Sequence, residues 1–370
     1  MGTFKNVRVN LKRENDDSYD IVIGSELFPE IAEYVGSSHA GKRVAIITDS
    51  NLISSGHAGG LTRALQNKGL PSILASFPAG ERSKTFETCV GLLNDLLGKG
   101  CGRDTVILAL GGGVVGDMAG LVAALLNRGV PYVQIPTTTL AQADSSIGGK
   151  TGVDTVHGKN LVGVFKQPVR VFIDVKTLQT LPEKEYVSGL AETIKHGVIL
   201  DEAFFAFLES HVDKIKARDT ETLLQVACNN CGIKGSVVER DPHEKGLRRV
   251  LNYGHTIGHA LEKEMNFTTL HGENVAIGMM VAGKIAEIQY GFRDLARQEA
   301  LLQAVGLPTK LPGGISRERL LESAAMDKKA LKSRARYSLP EKIGKMLPFD
   351  DEYATTVDDE VVVRALDATR

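Results

Sequence analysis

The sequence predicts an α/β domain built on a parallel sheet, residues 1–182, followed by an all-α domain, residues 183–370. Three observations predict it. Short β-branched runs alternate with helical segments through the first half, the pattern of strand–helix units in a parallel sheet. From about Leu181-Pro182 onward most segments carry helical spacing, with few strand candidates. A chain of 370 residues is also longer than one core ordinarily serves.

Taken in order, "RVAIITD" (43–49) reads as a strand, "LTRALQNKG" (61–69) as a helix closed by glycine, and "PSILASF" (71–77) as a strand. "TFETCVGLLNDLLGKG" (85–100) is the next helix and "TVILAL" (105–110) the next strand. Glycines 111–113 lead into a helix from about Val114, and "PYVQIP" (131–136) is again a strand. Beyond Pro182, "EYVSGLAETIKHGVILDEAFFAFLESHVDKI" opens the helical half. The tail "FDDEYATTVDDEVVVRALDATR" reads as a short strand or loop and a final helix.

Composition narrows the function classes. With 42% hydrophobic and 24% charged residues the chain is globular rather than disordered. A net charge of −1 gives no overall pull toward nucleic acid or a membrane surface. No apolar run reaches the length of a bilayer span, and "MGTFKNVRVNLKRENDD" is too polar for a signal peptide. A cytoplasmic location is the expectation. Four cysteines are too few for a disulfide framework, and Cys228-x-x-Cys231 has no second pair with which to build a structural zinc site.

Three motifs carry chemistry. In "TVILALGGGVVGDMAG", Gly111, Gly113 and Gly116 fit a phosphate-loop spacing between a buried strand and a helix. Glycines let the backbone approach a diphosphate, and the helix start offers free N–H groups to it. This makes the first domain Rossmann-like and dinucleotide-binding, although the loop follows a later strand than the first. Asp49, ending its strand, suits a ribose hydroxyl and suits a helix cap equally.

The second motif is a set of metal-type side chains: Glu192 in "SGLAETIKHG", His255 and His259 in "LNYGHTIGHALE", and His271 in "TLHGENVAIGM". Two imidazoles and a carboxylate with open positions suit a catalytic divalent ion. Spacing alone favours the i, i+4 pair His255/His259 and leaves His196 as a further candidate. It does not choose among them.

The third is basic and polar. "AQADSSIGGKTGVDTVHGKN" (141–160) sets Asp144, Lys150, Lys159 and Asn160 among glycines, and Lys195, Lys234, Arg248 and Asn252 stand near the metal candidates. Ammonium groups serve as compact phosphate partners, while a guanidinium fork matches a carboxylate. A small substrate bearing phosphate and carboxylate is the expected partner.

The ordered motifs "GGGVVGDMAG", "IPTTTLAQADSSIGGKTGVD", "GKNLVGVFKQP", "TLQTLP", "SGLAETIKHG", "GLRRVLNYGHTIGHALE" and "LHGENVAIGM" resemble the 3-dehydroquinate synthase family of sugar phosphate cyclases, over residues 43 to 345. The resemblance implies conversion of 3-deoxy-D-arabino-heptulosonate 7-phosphate to 3-dehydroquinate and phosphate, with transient oxidation by NAD, phosphate elimination, re-reduction and aldol closure. It implies Glu192, His255 and His271 as ligands of one zinc or cobalt ion, with His259 moved to the substrate pocket. Asp144, Lys150, Asn160, Lys195, Lys234, Glu244, Arg248 and Asn252 would line that pocket too. Arg128 would reach the phosphate site of a second subunit, hence a homodimer. NAD contacts would come from Asp49, Glu81, Lys84, Gly113, Val114, Val115, Gly116, Asp117, Thr137, Thr138, Lys150, Lys159, Thr177, Leu178, Gln179 and Thr180. Lys328 or Lys329 is the expected extra phosphate contact. Lys166, Pro242 and Ser333 depart from the usual family pattern. The rival readings are an aminodehydroquinate synthase, a 2-deoxy-scyllo-inosose synthase, and a metal-dependent polyol dehydrogenase. Lys234 and Arg248 argue against the second, whose glucose 6-phosphate has no carboxylate.

Overall fold

The structure, a computed structural model, describes residues 16–325 and 335–370. In chain order its first half runs β1 (Ile21–Gly24), α1 (Phe28–Ser38), β2 (Arg43–Asp49), α2 (Ser50–Ser54), α3 (His57–Asn67), β3 (Ser72–Phe77), α4 (Phe86–Gly98), β4 (Thr105–Gly111), α5 (Gly113–Leu125) and β5 (Tyr132–Pro136). A hairpin of β6 (Lys150–Thr155) and β7 (Gly158–Phe165) follows, then β8 (Arg170–Asp174). Among the described residues, six strands form one parallel sheet in the order β1-β8-β5-β4-β2-β3.

Covering both faces explains the run-like strands. Every residue of β4 is buried, as a strand sandwiched between helices requires. Val44, Ile46 and Leu108 meet Ile31, Val35, Leu61 and Leu65 of α1 and α3 on one face. Ala45, Ile47, Ile107 and Ala109 meet Leu92, Leu96, Val115 and Met118 of α4 and α5 on the other. Each such leucine or isoleucine contributes roughly 1.5–3 kcal/mol by leaving water.

The second half is α6 (Glu183–Leu200), α7 (Glu202–Ser210), α8 (Val212–Lys216), α9 (Thr220–Arg240), α10 (His255–Glu264), α11 (His271–Tyr290), α12 (Leu295–Ala304), α13 (Arg317–Ala325) and α14 (Asp359–Ala368). Two small strand pairs near residues 336–356 accompany α14. The helix α11 is the central one, buried from Asn274 through Gly283. Gly272 and Gly278 allow its tight packing: a Cβ on Gly272 would lie 1.7 Å from the Ser188 carbonyl oxygen, and one on Gly278 1.9 Å from that of Gly254. These contacts set the N-terminus of α11 against α6 and the N-terminus of α10 against α11. No helix among the described residues is long and apolar enough to cross a membrane.

The structure differs from the sequence reading in the first half. The stretch 141–160, whose glycines and lysines suggest a loop, enters the β6–β7 hairpin from Lys150 onward. Gly152 and Gly163 face each other across it, where a Cβ on Gly163 would sit 2.0 Å from the Thr151 carbonyl oxygen. The glycines therefore serve close strand approach rather than a flexible turn. Four-residue β1 and five-residue β8 were also absent from the expected strands.

Candidate active site

The strand order reverses between β2 and β4: β2 leads outward to β3, whereas β4 leads the other way to β5. Ligands of open α/β sheets bind at such a switch point, beyond the carboxyl ends of the strands. The glycine loop lies there, between β4 and α5. Side chains would fill it, since a Cβ on Gly112 would come within 2.9 Å of Thr138 and one on Gly116 within 2.8 Å of Gln134. Gly113 and Val114 offer backbone N–H groups in the first turn; the Val115 side chain belongs to the core. Thr137 donates its N–H to Gly111 (3.0 Å) and Thr138 accepts from Ala141, so both threonines edge the loop.

Charged residues buttress this loop. Asp117 pairs with buried Lys84 at 2.7 Å, and Lys84 also donates to Asn160 at 2.5 Å. Burial opposes the Lys84 charge, yet Asp117 and Glu81 outweigh it and raise its pKa. Glu81 is 3.7 Å from Lys159. The Asp49 carboxylate caps α2, accepting from the N–H groups of Asn51 and Leu52. Thr177 and Leu178 are buried beside β8, where Thr177 accepts from Gln142; Gln179 and Thr180 are exposed and bond to Arg218 and His57.

Three helices bring the metal-type side chains together. Glu192 lies within α6 with no solvent exposure, while His255 and His271 each begin a helix. Ligand atoms of the three lie within 4.8 Å of one another. Both imidazole Nε2 atoms stand 3.5 Å from Glu192 Oε1, a buried oxygen that accepts no hydrogen bond. A buried carboxylate oxygen left in this way needs a partner. The N,N,O donor set fits zinc or cobalt. Burial pushes the Glu192 carboxyl up, but Lys195, His255 and His271 outweigh it and hold it well below its usual range. His255 is pushed down by burial and by Lys195. Burial pushes His271 down, but the Glu192 and Glu262 carboxylates on either side of its ring outweigh it and raise it to about 9.

His259 is not among those three; its ring lies 5.2 Å from that of His255 and 6.1 Å from that of His271. The convergence joins separate helices, so spacing along one helix misdirects. His196 also stands apart, its Nδ1 2.9 Å from Asn230 Oδ1 in the core. Burial and Lys195 push its pKa down to about 4. The unfolded chain, near 6.5, binds that proton more readily, so His196 lowers stability as pH falls from about 6.5 toward 4. His196→Gln is expected to flatten that slope, read from urea midpoints at about pH 5 and about pH 7.5. Equal slopes in both proteins would contradict it.

The polar residues close in from both domains. Asp144, on the turn Ala141–Ser145, pairs with Lys234 of α9 at 2.6 Å. Burial acts against the Asp144 charge, but Lys234 and Lys195 overcome it and keep the carboxyl low. Lys195 is buried between the Glu192 carboxylate and the Leu251 carbonyl, to which it donates at 2.9 Å. Arg248 donates to the Pro242 and Gly148 carbonyls. Lys150 pairs with Glu244, which accepts from Asn252 at 2.9 Å. Arg128 lies on an exposed turn after α5, in a left-handed conformation (φ 68). Lys328, Lys329 and Ser333 lie outside the described residues.

Two contacts fix the distance between glycine loop and metal-type cluster. Gly189, one turn before Glu192, packs so closely on the segment after β5 that a Cβ would be 2.3 Å from Leu140 N. Gly113 faces Ser145, beside Asp144, with only 3.1 Å for a Cβ. One residue escaped the sequence reading: Glu262, buried on α10, whose Oε1 is 2.6 Å from His271 Nδ1. Its signal was faint, a carboxylate three residues after His259 and seven after His255.

A parallel sheet with a glycine loop at its switch point, set against a helical domain carrying a buried carboxylate–imidazole cluster, is the two-domain class that sugar phosphate cyclases share. The solved 2-epi-5-epi-valiolone synthase from Streptomyces hygroscopicus subsp. jinggangensis, with NAD+ and Zn2+ bound, superposes with a TM-score of 0.87 at 27% identity, covering 98% of this chain and 99% of that one. A 2-deoxy-scyllo-inosose synthase complexed with carbaglucose-6-phosphate, NAD+ and Co2+ gives 0.86 at 27% identity, covering 95% and 96%. Glycerol dehydrogenase from Schizosaccharomyces pombe shares the fold alone, at 17% identity, a TM-score of 0.68 and 97% and 92% coverage. Sequence families narrow the class. The 3-dehydroquinate synthase N-terminal family matches residues 74–188 and the 3-dehydroquinate synthase C-terminal family residues 189–330. The 3-dehydroquinate synthase of Desulforamulus reducens is 46% identical over 337 residues, 90% of this chain and 94% of the relative. That of Geobacter metallireducens is 45% identical over 332 residues, 89% and 92%. The chain belongs to the 3-dehydroquinate synthase family.

Proposed function

We propose that this chain is a 3-dehydroquinate synthase, acting in the cytoplasm as a homodimer on 3-deoxy-D-arabino-heptulosonate 7-phosphate. The observation that carries the reading is the convergence of Glu192, His255 and His271, with Lys195 buried against Glu192, Lys234 against Asp144, and the glycine loop packed on Ser145 beside Asp144. NAD at the glycine loop would supply reversible hydride transfer at the substrate's C5 carbon, and zinc or cobalt held by Glu192, His255 and His271 would supply Lewis acidity at the C5 oxygen.

The chain's own residues bind and orient. Lys150, Lys195, Lys234 and Arg248 offer cationic partners to the substrate's phosphate and carboxylate. Asp144, Asn160, Glu244, Asn252 and His259 offer hydrogen-bond partners to its hydroxyls. Lys84 and Asp117 pair beside the glycine loop, and Lys159, Thr137, Thr138 and residues 177–180 would border the cofactor. The C6 proton can pass to the substrate's own phosphate as that group leaves, so no strong protein base is needed. Aldol closure then requires that both substrate ends be held close, which the two-sided basic pocket does. Arg128, exposed on its turn, would reach the phosphate of a second subunit.

The test is an assay with NAD and zinc against the heptulosonate phosphate, glucose 6-phosphate and glycerol, following phosphate and NADH together. Phosphate from the heptulosonate alone, with no net NADH, is expected. Phosphate from glucose 6-phosphate, or NADH accumulating with glycerol, would refute the reading.

A further inference from the structure

We infer that Glu262 is a positioning residue for His271, fixing which imidazole nitrogen faces the buried Glu192 carboxylate and tying that geometry to the β6–β7 hairpin. The inference rests on the metal-ligand reading above and adds a residue to it. Glu262 is a buried carboxylate, 3% exposed, in the last turns of α10. A buried carboxylate needs compensation, and among the described residues Glu262 meets His271 and Lys159. Its Oε1 lies 2.6 Å from His271 Nδ1, and its Oε2 accepts from Lys159 Nζ at 3.3 Å.

An imidazole that binds a cation through Nε2 must carry its proton on Nδ1, and a carboxylate acceptor there fixes both tautomer and ring plane. His271 meets the condition: Nδ1 faces Glu262 while Nε2 faces Glu192. His255 is served differently, its Nδ1 lying 3.1 Å from the Tyr253 carbonyl oxygen. The two imidazoles thus have acceptors of unequal strength, an anion for one and a neutral carbonyl for the other. Lys159 fixes the anion in turn. Its ammonium reaches from the start of β7 to Glu262, sits 3.7 Å from Glu81, and lies 4.9 Å over the Phe267 ring. Phe267 and Asn266 adopt left-handed backbone (φ 56 and 51) immediately after α10, and the Phe267 N–H donates to the Glu262 carbonyl oxygen at 2.8 Å. Such strain persists only where the surroundings enforce it. The turn, the ammonium and the carboxylate form one rigid support behind His271.

The test titrates cobalt into the metal-free full chain and into Glu262→Ala, Glu262→Gln and His271→Ala, reading affinity and the visible cobalt absorption. Glu262→Ala is expected to weaken binding about 10–100-fold. Glu262→Gln keeps an acceptor oxygen for Nδ1–H, so its loss is smaller, while its cobalt spectrum shifts because the ligand is less basic. Alanine binding within about threefold of wild type, while His271→Ala binds poorly, would overturn the inference. If Glu262→Ala fails to fold, Glu262→Gln decides: wild-type affinity with an unshifted spectrum overturns it. Unimpaired binding by His271→Ala would instead refute the metal-ligand reading itself.

Discussion

Replacing His271 by alanine strips the divalent ion from the protein, whereas replacing His259 by alanine leaves the ion bound and impairs substrate binding or turnover. Both histidines come from the same neighbourhood, and their rings are 6.1 Å apart. Only His271 presents a nitrogen to the buried Glu192 oxygen, at 3.5 Å. With one of three ligands gone, a carboxylate and one imidazole remain, too few for tight zinc binding. On the proposed reading His259 would contact substrate, so its loss costs contacts to substrate rather than to metal. Metal content of the two purified variants is the measurement. Stoichiometric zinc in His271→Ala and none in His259→Ala would reverse the assignment.

Lys195→Met gives the second large effect, and its size depends on metal. The Lys195 ammonium is buried against the equally buried Glu192 carboxylate. Removing one partner of a buried ion pair leaves an uncompensated charge and costs about 3–5 kcal/mol. In EDTA the variant is therefore expected to be strongly destabilised. Zinc supplies positive charge to the same carboxylate, so excess zinc restores most of the loss. By linkage, the variant's stability depends on metal more steeply than the wild type's. Urea denaturation with EDTA and with zinc measures all four states. Wild-type stability in EDTA, or no recovery with zinc, would show that Lys195 is not the charge that compensates Glu192.

Both effects turn on residues that the sequence revealed unevenly. The glycine loop was legible because its pattern sits between a β-branched strand and a helix, a context that spacing carries by itself. β2, β4 and β5 were legible as apolar runs because burial on both faces leaves a continuous stretch, while β3, at the sheet edge with Leu74 and Ser76 exposed, is a shorter and more mixed run. The hairpin was not. Leu161, Val162, Val164 and Phe165 are exposed, and paired glycines stand where side chains would mark a strand. The ligand set resisted spacing because Glu192, His255 and His271 come from three helices, joined by glycine contacts such as Gly272 on Ser188. Along α10 alone, His255 and His259 look equivalent; only the neighbouring helices distinguish them. Ordered family motifs point to the trio that the fold brings together, where helical spacing points to His255 and His259. They did not include Glu262, whose partner lies on the next helix.

The most direct test is a crystal of the protein loaded with cobalt and NAD, measured at the cobalt edge. One anomalous peak is expected at about 2.0–2.2 Å from a Glu192 carboxylate oxygen and from Nε2 of both His255 and His271, with the nicotinamide ring alongside. A peak coordinated by His259 in place of His271, or a cofactor lying away from the ion, would contradict the account.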